Sequence, residues 1–418
     1  MKKVIQKLLQ PRKKIPKKQN KQMANLSSVD LFGKTILLRC DFNVPIHHGK
    51  IQDNYKIKQS LPTIKELLKR RCKIVIISHM GRPDGKSTPK YSLKPVAKEL
   101  TKLLPKKTIL FQTHCLGKEV KEQITHAKQG QIILLENLRF YAEEKAADLS
   151  FAHSLAELAD IYIFDAFAVA HRKHSSTAIL PLFIPTAQGL LVQDEVETIN
   201  AAKAHKDKSI WIIGGAKLDK LSVIKSALKH AEWVYIGGAI CFSFLRAKGA
   251  HVGHSKFTAE SVKIAKKILE SENAQKIILP TDIVCSNSLS TSSKATTVLS
   301  NEIPSSAIGL DIGKESISEL IKLIKNARQI VWNGPLGYTE DKKYQHATNA
   351  IIQEIKKTDA RTIIGGGETS EILAKNKARN AVTHASTGGG ATLALLSGRK
   401  LPALEALVKS AKKFNLLK

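Results

Sequence analysis

The chain is poor in the features that would mark it for a specialised environment. Only 5 of its 418 residues are cysteine, with 3 methionine and 3 tryptophan. The cysteines (Cys40, Cys72, Cys115, Cys241 and Cys285) are scattered and form no C-x-x-C pair. That argues against a zinc site or a disulfide framework and fits a reducing, cytoplasmic location. No apolar run approaches the ~18 residues that a membrane-spanning helix needs. Acids are scarce beside bases: 36 Asp and Glu face 67 Lys and Arg, a net charge of +31. Such a surplus suits anionic partners. A lysine-rich solvated surface explains it without any partner, and no sequence-specific nucleic-acid module accompanies it.

What is present is ordinary for a globular protein: 43% hydrophobic and 25% charged residues, over a length that predicts about two domains. Residues 1–22 differ. They hold nine Lys or Arg, no acid, and Pro11 and Pro16, so they cannot build a core. They read as a basic disordered extension, either a polybasic tail or codons translated ahead of a natural start at Met23. No long apolar stretch follows the lysines, which argues against an export signal.

From Thr35 onward, short β-branched runs alternate with helix-period stretches. The runs are Ile36–Arg39, Lys73–Ser78, Gln131–Leu135, Ile161–Phe164, Ser209–Ile213, Trp233–Ile236, Lys276–Leu279, Gln329–Trp332 and Thr362–Ile364. Helical periods fall at Leu61–Arg70, Leu93–Leu104, Ser150–Ala159, Leu221–Ala231 and Ser316–Lys325. Continuous apolar strands between helices predict α/β units with parallel sheets covered on both faces. In such sheets ligands bind beyond the carboxyl ends of the strands. Strand exits in the first half carry Asp41 and Asn43, His79 and Arg82, Arg139, then His171 and Arg172. Exits in the second half are glycine pairs and triplets: Gly214-Gly215, Gly237-Gly238, Gly334 with Gly337, Gly365–Gly367 and Gly388–Gly390. Guanidinium and imidazole groups suit a small, multiply anionic substrate. Glycines at helix entrances let backbone N–H groups approach nucleotide phosphates. The predicted lobes are residues 23–187 and 188–400, joined by a helix over Gln188–Ala202. Gly81-Arg-Pro-Asp-Gly85-Lys86-Ser87 imitates a Walker loop but has three residues between its glycines where that loop needs four.

Seven segments in order resemble the phosphoglycerate kinase family: Leu38–Pro45, Ser78–Pro83, Leu135–Phe140, His171–His174, Gly214–Lys217, Val331–Pro335 and Ser386–Gly390. The resemblance runs from about Leu31 to Leu404. It implies two doubly wound, Rossmann-like lobes that hinge shut, with 401–418 packing back on the first, a monomer, and reversible phosphoryl transfer between 1,3-bisphosphoglycerate and ADP in glycolysis, with magnesium. A weakly active relative that only binds nucleotide and anions is the alternative. The resemblance implies that Asp41, Phe42, Asn43, Lys56, His79, Arg82, Arg139 and Arg172 bind phosphoglycerate. It assigns Lys217, Lys220, Gly238, Gly309, Asn333, Gly334, Pro335, Gly337, Glu340, Gly366, Gly367, Glu368 and Thr369 to the nucleotide. Lys56, Lys217 and Lys220 are the implied catalytic cations, and Glu368 the implied ligand to magnesium.

Four departures from the family pattern stand out. Lys56 stands where the family has Arg and Glu368 where it has Asp. Lys217 and Lys220 sit one residue closer together than usual. Ala168-Val169 replaces Gly-Thr, and Ala239 replaces a glycine of the adenine pocket. The first exchange keeps the charge but loses the planar two-donor fork. The third rotates the second lysine by about 100° if the stretch is helical.

Overall fold

The computed structural model describes residues 22–290 and 293–417. The predicted basic extension lies outside them except for Gln22. The described chain separates into two units, residues 22–196 with 399–417, and residues 197–398.

In the first unit β1 (Thr35–Cys40), β2 (Lys73–Ser78), β3 (Ile109–Gln112), β4 (Ile132–Asn137), β5 (Ile161–Asp165) and β6 (Thr186–Gln188) form one sheet. The order is β3-β4-β2-β1-β5-β6 and every pairing is parallel. Every residue of β4 and β5 is buried, which is why these strands read as unbroken apolar runs. The winding direction reverses between β1 and β5, so the crevice for a ligand opens beyond their carboxyl ends.

The helix α1 (Tyr55–Lys69) begins six residues before the predicted Leu61 and carries Pro62 in its interior. Proline removes one helical N–H bond, which disguises the first turn. The helix is nonetheless started by Asp53, whose Oδ1 accepts the Tyr55 N–H at 2.9 Å, and is held by buried Ile57, Ile64 and Leu67. Lys56 therefore sits on a helical first turn.

A second helix, α2 (Leu190–Ala204), takes the place of the one expected over Gln188–Ala202. Gln188 belongs to β6 instead. Buried Asp165 sets the start of α2 by accepting the N–H groups of Leu191 and Val192 at 2.9 and 3.2 Å. A Cβ at Gly189 would fall 2.2 Å from the same carboxylate.

The sheet of the second unit contains β7 (Ser209–Ile213), β8 (Trp233–Ile236), β9 (Ile277–Ile278), β10 (Gln329–Asn333), β11 (Arg361–Gly365) and β12 (His384–Ala385). Its order, β9-β8-β7-β10-β11-β12, is again wholly parallel. The winding reverses between β7 and β10, whose exits are Gly214 and Gly334. An antiparallel sheet unforeseen from sequence sets Asp282–Ser286 between Thr296–Leu299 and Ile308–Ile312. Three helices matter for the site or the packing: α3 (Lys220–His230), α4 (Gly367–Lys375) and α5 (Gly389–Leu396). The last helix, α6 (Pro402–Lys413), returns to the first unit. There Ala403 N–H donates to Ala170 O at 3.1 Å, and Ser410 Oγ accepts the Thr186 N–H at 3.1 Å.

Candidate active site

The exits of β1, β2 and β4 are stitched together by short polar side chains. Ser78 Oγ accepts the Phe42 N–H at 2.9 Å and donates to Cys40 O at 2.8 Å. Asn137 Oδ1 accepts the N–H groups of Met80 and Arg139, while its Nδ2 donates to Met80 O and Tyr91 O. Asn43 Oδ1 accepts the Gly81 N–H at 3.0 Å, and Arg139 Nη1 donates to Gly81 O at 2.6 Å. Gly81 has φ +59°, and a Cβ there would come within 2.2 Å of the Tyr91 ring. The loop closes in this way only with glycine.

On this mesh stand the predicted anion ligands. Lys56 Nζ lies 2.7 Å from Asp41 Oδ2, and Asp41 Oδ1 accepts the Asn43 N–H at 3.0 Å. Lys58, the neighbouring lysine on α1, is exposed. His79 and Arg139 are buried, Arg172 is half-buried and Arg82 is exposed. Phe42 differs from the ligand role expected of its side chain: the ring is wholly buried in the apolar core and its amide donates to Ser78 Oγ.

Burial shapes the charge of the cluster. It pushes Arg139 down to about 10, with Arg172 and Arg39 adding to the effect. Burial first, then Arg39 and Arg139, holds His79 well below the ordinary imidazole range. His174 is lowered to about 4 by burial and then Arg139, and His171 is lowered by burial and Arg172. All three imidazoles are neutral at pH 7, so the positive charge rests on Arg and Lys. Glu144, also wholly buried, is raised by burial against the opposing pull of Arg39 and Ser176. Arg39, Ser78, Asn137 and Glu144 were missed by the sequence reading. For Arg39 a signal existed, since a charged residue inside Leu37-Leu38-Arg39-Cys40 cannot be buried without partners.

In the second unit a cavity of about 430 Å³ opens beside the exits of β7 and β8. Of the predicted nucleotide residues, Lys217, Gly238, Gly309, Pro335, Gly337, Glu340 and Glu368 line it. Phe242, Ile283, Leu289 and Leu310 give it apolar walls, and Ala239 is also at its surface. Lys220, Asn333, Gly334, Gly366, Gly367 and Thr369 lie outside that lining.

The glycines divide into two kinds. Gly214, Gly215, Gly238 and Gly334 spend their amides on Asn333 O, Pro335 O, Leu336 O and Thr369 Oγ1 respectively. A Cβ at Gly334 would sit 2.2 Å from Gly214 O. These glycines let backbones pack on backbones, which differs from the phosphate-facing role expected of them. Gly367 has open space where a Cβ would stand, and α4 and α5 begin at Gly366 and Gly388 without a side-chain cap. Those two helix starts retain the free amides and positive dipole ends that suit phosphate.

Lys220 is the first residue of α3 and is buried, and its Nζ donates to Asn333 Oδ1. Burial lowers its amine to about 8, against the opposing pull of Asp219 and Glu368. Lys220 thus turns inward to the β10 exit, while Lys217 stays exposed at the cavity.

For magnesium the donor set is a single exposed carboxylate, Glu368, in the first turn of α4. No cluster of three or more His, Cys, Asp or Glu able to hold a metal exists among the described residues. That fits magnesium, which is often held by one or two carboxylates with substrate phosphates and water rather than in a protein cage.

A doubly wound unit edged by fixed cations, together with a second one edged by bare helix amides, defines a kinase of the α/β type acting on a small anionic metabolite. The chain belongs to the phosphoglycerate kinase family, whose model matches residues 26–399. It is 39% identical over 393 residues to the phosphoglycerate kinase of Pseudothermotoga lettingae, covering 93% of this chain and 99% of that one. A relative from Pelotomaculum thermopropionicum is 38% identical over 384 residues, covering 91% and 98%. The solved phosphoglycerate kinase of Coxiella burnetii superposes with a TM-score of 0.81 at 33% identity, over 94% of this chain and all of that one. No helix among the described residues is long and apolar enough to cross a membrane.

Proposed function

We propose that the cation cluster of the first unit holds phosphoglycerate, and the glycine-edged cavity of the second holds the nucleotide, in the reaction this family member catalyses: reversible phosphoryl transfer between 1,3-bisphosphoglycerate and ADP. The observation that carries the assignment is the convergence of Lys56, His79 and Arg139 around Asp41 at three adjacent strand exits.

In the ATP-consuming direction the nucleophile is a carboxylate, already ionised at neutral pH, so no general base is required. The protein's task is in-line positioning and neutralisation of charge. Arg139, Arg172, Lys56 and His79 orient the acid. Lys217 and the free amides at the starts of α4 and α5 receive nucleotide phosphates, Lys220 acts beside Asn333, and Glu340 reaches the ribose. Magnesium, held by Glu368 and the phosphates, would supply positive charge to the phosphate oxygens. Hinge closure is the proposed step that joins donor and acceptor, in a monomeric cytoplasmic enzyme. A coupled assay with 3-phosphoglycerate, ATP and magnesium tests the assignment. Turnover saturable in both substrates is expected; background turnover from folded protein refutes it.

A further inference from the structure

Arg39 is a buried charge to which the motifs assign no role. On β1 it has three fixed acceptors: Nε donates to Ser176 Oγ at 3.1 Å, Nη1 to Cys40 O, and Nη2 to His79 Nδ1 at 3.1 Å. Ser176 passes the constraint on, because its Oγ donates to Glu144 Oε1 at 2.6 Å and its N–H to Oε2 at 2.9 Å. Glu144 Oε1 also lies 4.0 Å from Arg39 Nη2.

A guanidinium has donors and no acceptor. His79 Nδ1 must therefore accept, and the neutral ring carries its single proton on Nε2. Asp41 Oδ1, 4.0 Å from Nδ1, is too far to draw a proton there. Nε2 has no partner among the described residues.

We infer that Arg39, clamped by Ser176 and Glu144, is a positioning residue that fixes His79 as its Nε2–H tautomer, so that the ring meets phosphoglycerate as a hydrogen-bond donor. This rests on the reading of the first-unit cluster as the phosphoglycerate site. The other tautomer fails twice: Nδ1–H would face the N–H of Arg39, and Nε2 would turn a lone pair towards an anion. The imidazolium is disfavoured as well. The groups facing the ring are Arg39 and Asp41 from β1 and its exit, Lys56 from α1, Arg139 after β4 and Arg172 after β5, four cations against one carboxylate.

Nitrogen NMR of the full-length protein with labelled histidine, assigned through the His79→Gln variant, reads the tautomer without altering Arg39. Between about pH 6 and 8 the Nε2 of His79 should resonate as the protonated nitrogen and Nδ1 as the bare one. A protonated Nδ1 at pH 7 overturns the inference. Kinetics of Arg39→Met, His79→Ala and the double variant test the coupling. Arg39→Met should raise the KM for 3-phosphoglycerate about tenfold, the scale of one charge-assisted hydrogen bond, and leave the nucleotide KM unchanged. In the His79→Ala background the same change should add less than about twofold; a full multiplicative effect there overturns the inference. An unchanged 3-phosphoglycerate KM in His79→Ala would sink the pocket assignment and with it the donor role, while the tautomer stood on the NMR result.

Discussion

Lys56 and Lys220 are the two side chains from which the proposed function predicts the largest effects on rate. Lys56 reaches Asp41 with one ammonium group, where a guanidinium would bring two coplanar donors. Lys56→Arg is expected to raise kcat by roughly threefold to tenfold, the worth of a forked contact over a single one, measured by steady-state turnover with 3-phosphoglycerate saturating. Lys220 is the pH-sensitive partner. Its amine, lowered to about 8 by burial, is charged below that pH and neutral above it, so kcat should fall as pH rises through about 8. In Lys220→Arg that limb should move beyond pH 10, and Lys220→Met should lose about a hundredfold in kcat, the scale of removing one preorganised charge stabiliser. A pH–rate profile of the three proteins separates these outcomes. Legibility at this scale was uneven. Asp41, His79 and Arg139 stood out because they follow strands, and the structure sets them together at the exits of β1, β2 and β4. Ser78 and Asn137 could not, because nothing in a short polar side chain shows which loop, decades of residues away, it will fasten. Phe42 differs from its motif neighbours, because one residue along its side chain points into the core.

Among the elements, the start of α2 and the contact of β7 with β10 carry the clearest consequences. Asp165 accepts two N–H groups at the start of α2, yet its Oδ2 is buried without a partner. Burial raises its carboxyl to about 6 despite those bonds. A group whose pKa is raised on folding contributes stability that is whole below its unfolded pKa, near 4, and is lost as pH rises through the folded one. Between about pH 4 and 6 this residue should therefore cost about 3 kcal/mol of stability relative to a neutral isostere. Asp165→Asn keeps Oδ1 as an acceptor, so its denaturant unfolding should be the flatter across that window. Where β7 meets β10, Gly334→Ala forces a Cβ to within 2.2 Å of Gly214 O. Backbone against backbone has little room to relax, and a loss of at least about 3 kcal/mol with a raised nucleotide KM is expected. The long strands and most helices were legible because their apolar periods are unbroken. The first turn of α1 was hidden by Pro62. The antiparallel sheet over 282–312 escaped notice because Thr296–Leu299 is largely exposed and its flanks are serine-rich, so little apolar patterning marks it.

At the scale of the whole molecule, charge and chain path decide the behaviour. A net charge of +31 makes the protein an attractor for trianionic substrate, so kcat/KM for 3-phosphoglycerate should fall steadily as neutral salt is added over the range where the Debye length shrinks from about 30 to about 8 Å. Kinetics across a potassium chloride series checks it. Because residues 399–417 complete the first unit, with Ala403, Leu407 and Ala411 of α6 buried, removing 402–418 should weaken phosphoglycerate binding far more than ADP binding, as calorimetric titration would show. The same chain path has a bearing on biosynthesis. During synthesis the unit begun first lacks its final helix until after every strand of the other sheet has been added to the chain. A nascent polypeptide cut short before 402–413 should therefore expose the apolar surface that this helix covers, and be bound by chaperones where the longer product is not.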